Sequence, residues 1–341
     1  MALSERKQRI LTLMIEQYIR TGEPVGSKAL AELLDNAVSS ATIRNDMAEL
    51  SALGYLEQPH TSAGRIPTAV AFRLYIDQLM AREPLAEENR RMIDDRLEHA
   101  SHDPDRLIEN AAQALAEVTG CAAVGTTPSE QGTTIRQLDV LRASPRAAAL
   151  ILMTASGLVR NRVCRFERAV SNDLLEQAAA LLQQQFCGEP LIDVTLPRIQ
   201  SLMGAFGEHA LLLAPLLTGL LELAQETVEA DVLLTGHLNL LRHPDYAPDR
   251  VRLLLQFLSQ RELLSDMLTA CSGGLQVVLG SEVHRPELDG SSIIVTRYRI
   301  GERSNGAIGI IGPQRMDYAA AIPRIEYFAQ SLGRLLREWA D

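Results

Sequence analysis

The sequence predicts an α+β protein with more than one domain, and three observations support this prediction. The chain has 341 residues, which is too long for one ordinary hydrophobic core. Three short helical patterns followed by a hairpin pattern open the chain. Further along, strand patterns at 121–166 and 275–312 are separated by a strongly helical block at 171–270. Strands interrupted in this way indicate one domain inserted into another.

The first two predicted helices are short and amphipathic. The first begins after Ser4, the expected N-cap, and carries an apolar stripe at helical spacing. The stripe consists of Ile10, Leu13, Met14 and Ile19. Gly22 and Pro24 end this helix, and a second helix is expected from Ser27.

A third helix and a hairpin complete the N-terminal domain. The third helix is expected to have Ser40 as its N-cap and Gly54 as its C-terminal signal. Residues 55–57 then read as a strand, and the chain returns through a polar turn to Arg65. Three helices followed by a hairpin are the plan of a winged helix-turn-helix, and with a fourth helix this domain covers residues 1–80.

The rest of the chain is predicted as one interrupted α+β domain. Residues 81–104 are highly charged and are expected to form an exposed helix and linker. Candidate strands follow near 121–126, 135–142, 147–154 and 158–166, and later at 275–284, 291–300 and 306–312. Helices are expected at 105–119, 173–186, 198–206, 209–229, 231–241, 249–270 and 319–339.

The charge is distributed unevenly between the two parts of the chain. The net charge is −10, but residues 1–75 hold eight Lys/Arg and eight Asp/Glu and are neutral. The remaining residues carry 25 basic against 35 acidic side chains, which makes them a poor surface for DNA. Aromatic residues are only 4% of the chain, so stacking of single-stranded bases is not expected. A nucleic-acid surface is therefore expected only in the first domain.

Motifs of enzymes and of metal sites are absent from the sequence. We find no His-Glu-x-x-His pair, Gly-x-Ser-x-Gly elbow, P-loop or dinucleotide-binding glycine fingerprint. The four cysteines are widely spaced and form no Cys-x-x-Cys pair, which favours reduced thiols. The sequence therefore predicts a protein that is not an enzyme and has no cofactor and no metal.

One apolar segment bears on the question of a membrane. The stretch from His209 to residue 226 is rich in leucine but contains Pro215 and Gly219 and reaches Glu222 early. It falls short of the roughly 20 apolar residues that a span requires. We expect a buried helix, in or near a subunit interface, and a cytoplasmic protein, since the N-terminus lacks the apolar segment of a signal peptide.

The third helix has a face suited to reading DNA. With Ile43 at the centre of the core-facing side, Met47 and Leu50 fall beside it. The opposite face presents Ala41, Arg44, Asn45 and Ala48. Arg44 and Asn45 are the side-chain types that form bidentate contacts with guanine and adenine, and small residues on either side would let the helix enter a major groove.

Other polar side chains around this helix are suited to the DNA backbone. Ser39, Ser40 and Thr42 stand at its N-terminus, where free N–H groups and the helix dipole also favour phosphate. The hairpin tip adds His60, Thr61, Ser62 and Arg65. An ordinary surface helix with a polar turn is the alternative, but the preceding helix and following hairpin are the parts that present a recognition helix.

Three stretches of the sequence resemble the heat-inducible transcription repressors called HrcA. The most specific is VSSATIRNDMAELSALGYLEQPHTSAGRIPT at 38–68, and segments 18–30 and 306–332 are similar to the same family. The resemblance implies a GAF-like domain, expected at 105–165 and 255–341, with a dimerisation domain inserted at 166–254. One departure is Ala69-Val70-Ala71, where the family has a polar, partly basic start to the next helix.

The resemblance also implies a mechanism. It implies repression of chaperone operons by a homodimer on an inverted-repeat operator in double-stranded DNA, with the GroEL chaperonin promoting the DNA-binding state. A neutral first domain would make few phosphate contacts, so two linked copies are expected to be needed for tight binding. The alternative is a winged-helix repressor controlled by a small-molecule ligand of its GAF-like domain.

Overall fold

The computed structural model describes residues 3–60, 63–82, 84–98, 104–128, 132–155, 157–228, 231–270, 273–300 and 304–340. The N-terminal domain, called the head below, contains three helices, α1 (Glu5–Thr21), α2 (Ser27–Leu33) and α3 (Ser40–Ala52). A two-stranded wing follows, formed by β1 (Leu56–Glu57) and β2 (Ile66–Pro67). The helix α4 (Ala69–Leu74) continues as a single π-helical turn to Leu79. The predicted winged helix is therefore confirmed.

Apolar side chains at helical spacing build the core of the head. Ile10 and Met14 of α1, Ile43 and Leu50 of α3, and Phe72 of α4 are at most 1% exposed. Their spacing of three or four residues places them on one side of each helix, where they exclude water together. The predicted N-cap of α3 was wrong by one residue: the cap is Ser39 and not Ser40.

The charged segment after the head is less exposed than its composition suggests. It forms the helix α5 (Glu87–Glu98), in which Ile93 and Leu97 are fully buried. These two residues pack in one cluster with α6 (Pro104–Thr119) and the C-terminal helix α13 (Tyr318–Ala340). The expectation of an exposed helix at 81–104 was therefore wrong only for the side of α5 that carries Ile93 and Leu97, because two apolar residues four positions apart lie on the same face of a helix and can pack together.

A five-stranded antiparallel sheet forms the centre of the body, which is the chain beyond the head. Its strand order is β7 (Val232–Thr235), β3 (Ala122–Thr126), β10 (Ser304–Pro313), β9 (Ser291–Ile300) and β8 (Gln276–Leu279). The helices α6 and α13 cover one face, and α11 (Pro248–Leu258) and α12 (Arg261–Ala270) cover the other. Neighbouring residues of the central strands therefore enter different cores, as Ile293 and Ile294 do.

A separate unit lies between β3 and β7 in the chain. Three antiparallel strands, β4 (Ile135–Ser144), β5 (Ala147–Thr154) and β6 (Val159–Arg165), form its sheet. Three helices, α7 (Asn172–Phe186), α8 (Leu196–Ala205) and α9 (Ala210–Val228), form a core of their own with this sheet. We call this part, residues 132–228, the inserted unit.

The inserted unit corrects the expected domain boundaries. The strands at 135–165 were expected in the same domain as the C-terminal strands, but they form the second sheet. Conversely, residues 231–254 were expected in the insertion. However, β7 pairs with β3 in the five-stranded sheet, and Leu254 belongs to the core beside that sheet. Strand periodicity shows which residues alternate between two faces, but it carries no information on which sheet a strand joins.

Two helix predictions near this boundary were also wrong. The helix expected at 231–241 is the strand β7 followed by the one-turn helix α10 (Asn239–Arg242). The single helix expected at 249–270 is divided into α11 and α12 at Ser259. Residues 232–235 are a short apolar run, and periodicity alone does not distinguish such a strand from a piece of buried helix.

The helix α9 is the core helix of the inserted unit. Its leucines Leu213, Leu216, Leu217 and Leu220 are at most 1% exposed and pack against the three-stranded sheet and α8. Within the described residues, the stretch Gly207–Val228 is the one helix long and apolar enough to cross a bilayer. Burial of its apolar side by the protein accounts for this composition without a membrane.

Candidate nucleic-acid interface

The helix α3 presents to solvent the face that the sequence assigns to DNA. Arg44 and Asn45 are exposed, and so are Ala41 and Ala48, one turn away on either side. The opposite side of the helix is buried, with Ile43 and Leu50 at 0% exposure. The exposed face therefore carries two polar side chains at its centre and a small residue on either side, an arrangement that suits a major groove.

The hydroxyl groups at the start of α3 bond to each other as well as to the helix. The Ser39 Oγ accepts a hydrogen bond from the backbone N–H of Thr42 at 3.2 Å and lies 2.9 Å from the Thr42 Oγ1. This cap fixes the first turn, while the other N–H groups of that turn have no partner within the helix. Ser39 is exposed, and Ser40 and Thr42 are half-buried beside it.

A buried carboxylate anchors α3 from its inner side. Asp46 is 2% exposed and accepts two hydrogen bonds from Arg6 of α1, Nε to Oδ2 at 2.9 Å and Nη2 to Oδ1 at 3.0 Å. Lys7 forms a second ion pair with Glu49 one turn further along α3. The two-bonded Arg6–Asp46 pair restricts rotation of the helix about its axis, so it fixes the direction in which Arg44 and Asn45 point.

Asp46 and Arg6 were not predicted from the sequence. The sequence nevertheless indicates that Asp46 is buried. It lies three residues after Ile43 and one before Met47, on the face of the helix assigned to the core. A charged residue at such a position is rarely buried without a partner, so it implies a basic side chain on a neighbouring element. The sequence did not identify that partner among the basic residues of the head.

Arg65, which the sequence assigned to contact with DNA, joins the wing to α3 by hydrogen bonds. The Arg65 Nη1 donates to the carbonyl oxygen of Met47 at 2.7 Å and also bonds to the Ser51 hydroxyl. In addition, Val25 and Arg65 exchange two backbone hydrogen bonds of 2.9 and 3.0 Å. Arg65 thus positions the wing against α3, and any contact of Arg65 with DNA would have to use its remaining donors.

Close backbone contact also constrains the wing. A Cβ atom added at Gly64 would lie 2.5 Å from the carbonyl oxygen of Val25, so only glycine fits there. His60 is exposed near the tip of the wing. Thr61 and Ser62, which the sequence also assigned to DNA, lie outside the described residues.

Two arginines connect the head to the body. Arg73 of α4 pairs with Glu282, which follows β8, and its Nη2 donates to the carbonyl oxygen of Val277 at 2.8 Å. Arg315, just before α13, donates from Nη1 to the carbonyl oxygen of Ile19 at 2.8 Å. Its Nε donates to the Asp245 Oδ1 at 2.6 Å. These polar contacts at two places add to apolar contact between head and body, where the ring centres of Phe72 and Tyr318 are 6.1 Å apart.

The described residues contain no group of three or more His, Cys, Asp or Glu side chains that could hold a metal ion. Cys121, Cys164 and Cys187 are free thiols, and burial raises the pKa of Cys121 to about 11. A thiol with so high a pKa is almost entirely protonated at neutral pH and is a weak nucleophile.

The exposed face of α3, its cap and the adjoining wing define a winged-helix DNA-binding protein. Comparison with known proteins shows which one it resembles. Residues 2–79 match the family model described as "Winged helix-turn-helix transcription repressor, HrcA DNA-binding". Residues 105–322 match that of the "HrcA protein C terminal domain". The chain therefore belongs to the HrcA family of heat-inducible transcription repressors.

Individual relatives and one solved structure agree with this assignment. The heat-inducible transcription repressor HrcA of Desulforudis audaxviator is 33% identical, with 99% of both chains covered. The HrcA of Geobacter sulfurreducens is 32% identical over 98% of each chain. A crystal structure titled as that of a hypothetical protein superposes with a TM-score of 0.63 at 25% identity, covering 99% of this chain and all of the other.

Proposed function

We propose that this protein represses chaperone operons by binding an inverted-repeat operator as a homodimer, in a state that the GroEL chaperonin promotes. The observation that carries the proposal is the exposed Arg44–Asn45 pair on a helix whose other side is anchored in the head. Membership of the HrcA family supplies the expected target. The protein would act in the cytoplasm, where the DNA is.

In the proposed complex, α3 enters the major groove, where some of its side chains contact bases and others contact phosphate. Arg44 donates two hydrogen bonds to a guanine, and Asn45 pairs with an adenine. Ala41 and Ala48 allow close approach, while Ser39, Ser40 and Thr42 bind phosphate at the helix N-terminus. His60, Thr61, Ser62 and Arg65 of the wing would contact the backbone or minor groove.

The charge of the head supports a requirement for two copies. A head with as many acidic as basic residues releases few counterions on binding, so a single copy binds weakly at physiological salt. Two heads joined through their bodies bind a two-fold symmetric site in one event, which raises the effective concentration of the second head. The number of heads, rather than the charge of each, would then provide the affinity.

We place the contact between the two copies on the inserted unit, where exposed apolar side chains share one sheet face. Leu141 and Val163 flank Ala149 in the three-stranded sheet, and they are 55% and 58% exposed. Ile151, Met153 and Val159 continue this surface along the strands. We assign the expected GAF-like domain to the five-stranded sheet of the body and the helices on its two faces.

The proposal is tested by titrating the purified protein onto a fluorescent chaperone-operator duplex with an inverted repeat, and onto a scrambled duplex of equal length. Each titration is made with and without GroEL at one fixed salt concentration. We expect specific binding that GroEL strengthens. Equal and weak binding to both duplexes under all conditions would overturn the proposal.

A repressor controlled by a small molecule is the second candidate, and one cavity of the body favours it. A space of about 380 Å³ lies between α12 and the five-stranded sheet, with Phe257, Met267 and Val278 among its lining residues. Its size and apolar lining are typical of ligand sites. A thermal shift with metabolites but none with chaperonin would favour this candidate.

A further inference from the structure

The strand β8 lies at one edge of the five-stranded sheet, and the head covers that edge. Within the described residues, β9 is the one strand that pairs with β8. In an antiparallel sheet, the backbone groups of successive residues point to opposite sides of the strand. The carbonyl oxygen of Val277 and the N–H of Leu279, two residues apart, therefore point to the same side. Both groups bond to side chains, which identifies that side as the free edge.

Arg73 and Glu282 together take the place of a neighbouring strand. The Arg73 Nη2 donates to the carbonyl oxygen of Val277 at 2.8 Å, and the Glu282 Oε2 accepts the N–H of Leu279 at 2.9 Å. The two side chains also bond to each other. A further antiparallel strand would offer the same two backbone groups one N–H and one C=O. Arg73 belongs to the head, so this substitute for a strand is complete when the head is docked.

The strand itself has few of the features that prevent edge strands from pairing. Such edges are commonly protected by charged side chains, by proline, by a bulge or by short length. The sequence of Gln276–Leu279 contains no charge and no proline, and its register with β9 is continuous. Three of its four side chains are apolar. Its short length and the docked head are therefore its protection.

The strand is also complementary to itself in the antiparallel direction. About a two-fold axis at Val278, Val277 of one copy lies opposite Leu279 of a second copy, and the same pair forms again on the other side of the axis. Each pair can exchange two backbone hydrogen bonds. Val277 and Leu279 pack into the same core on one face of the sheet. A second copy would therefore continue that face with apolar side chains.

We propose that undocking of the head opens β8 for antiparallel pairing with β8 of a second copy. The head then has a second role, as a cover that keeps the edge of the body closed. Heating favours undocking, because the released head gains conformational entropy. This contact is separate from the one placed on the inserted unit, so it joins homodimers into larger species. The inference is independent of operator recognition, because association is measured without DNA.

The test is disulfide trapping at Val278 in the full-length protein. Val278→Cys places two thiols opposite each other across the two-fold axis, at a separation that a disulfide spans. The same substitution is made in Arg73→Ala/Arg315→Ala, which lacks the polar contacts of the head at both places. Under mild oxidation we expect the disulfide between two copies at position 278 to increase about five- to thirtyfold, measured by peptide mass spectrometry. No increase would overturn the proposal.

Two further variants separate strand pairing from random collision. Val277→Pro removes an N–H that points away from β9, and it should abolish trapping while the sheet remains intact. Leu253→Cys, at a side chain of α11 that is 37% exposed, replaces Val278→Cys as the control and should not be trapped more often when the head is released. Circular dichroism checks that each variant is folded. Trapping at position 278 that persists with Val277→Pro would overturn the proposal, as would an equal increase at position 253.

Discussion

Arg73 and Glu282 are 209 residues apart in the sequence, and their side chains meet in a two-bonded ion pair between head and body. The Arg73 Nε donates to the Glu282 Oε1 at 2.8 Å, and its Nη2 donates to Oε2 at 2.5 Å. The Glu282 Oε2 also accepts the backbone N–H of Leu279 at 2.9 Å. The last helix of the head is thus joined to the end of the edge strand of the body.

We expect the Arg73–Glu282 pair to make docking of the head dependent on pH. Partial burial alone would raise the pKa of Glu282, but hydrogen bonds from Arg73 and from the Leu279 N–H outweigh burial and lower it below 4.5. A lowered pKa in the docked state means that the contribution is fully present above pH 4.5 and is lost as the pH falls through the lowered value. We expect energy transfer between dyes on head and body to decrease in that range.

Glu282→Gln tests the same pair at neutral pH. Since both side chains are partly exposed, we expect a loss of about 0.5–1 kcal/mol of docking free energy, or about two- to fivefold faster tryptic cleavage after Arg82. The variant should also lose the pH dependence of energy transfer. Glu262→Gln, an exposed acid on α12, is the control. Identical cleavage of Glu282→Gln and the wild type would show that the pair does not hold the head.

Arg44→Ala is expected to weaken operator binding by about 1–3 kcal/mol, or roughly 5- to 150-fold in Kd, and to relax specificity at one base pair. The reason is loss of a bidentate base contact that phosphate contacts cannot replace. Fluorescence anisotropy on the operator and on single-base variants measures both effects. Arg20→Ala, at the far end of α1, removes the same charge and should bind as the wild type does. Wild-type affinity of Arg44→Ala would contradict the assignment.

Val163→Glu is expected to raise the dimer dissociation constant by about tenfold or more, because the new charge would be buried without a partner. Val163 is 58% exposed in the single chain, so the substitution should not disturb the fold. Analytical ultracentrifugation over a range of concentrations measures the effect. Val70→Glu, at a position of the head that is 57% exposed, is the control. An unchanged dimer dissociation constant would show that the interface does not lie on this sheet.

Leu217→Ala is expected to lower the free energy of unfolding of the inserted unit by about 2–5 kcal/mol, since Leu217 is 1% exposed within the single chain. The α9 helix was expected in or near the subunit interface, and this leucine and Leu213 are core residues instead. Urea denaturation measures the loss. Leu211→Ala, at a side chain 85% exposed, should change stability by less than about 0.5 kcal/mol. If the variant dissociated into monomers with no loss of unfolding free energy, Leu217 would be an interface residue and not a core residue.

Local patterns determined the head almost completely. The helices, the wing and the inward direction of Ile43, Met47 and Leu50 follow from apolar spacing and turn residues, which act between neighbours in sequence. The exposure of Arg44 and Asn45 follows from the same periodicity, because a helix with one buried face must present the other. The N-cap of α3 was misplaced by one residue, since Ser39 and Ser40 are equally suited to the position.

Only the tertiary structure decided how distant segments combine. The pairing of β3 with β7 and β10, the Arg6–Asp46 anchor and the Arg73–Glu282 pair each join residues at least 40 positions apart. Periodicity describes which face of an element is buried but not what buries it. The partner of a strand or of a charge is selected by the packing of the whole chain, where each pairing must be compatible with every other.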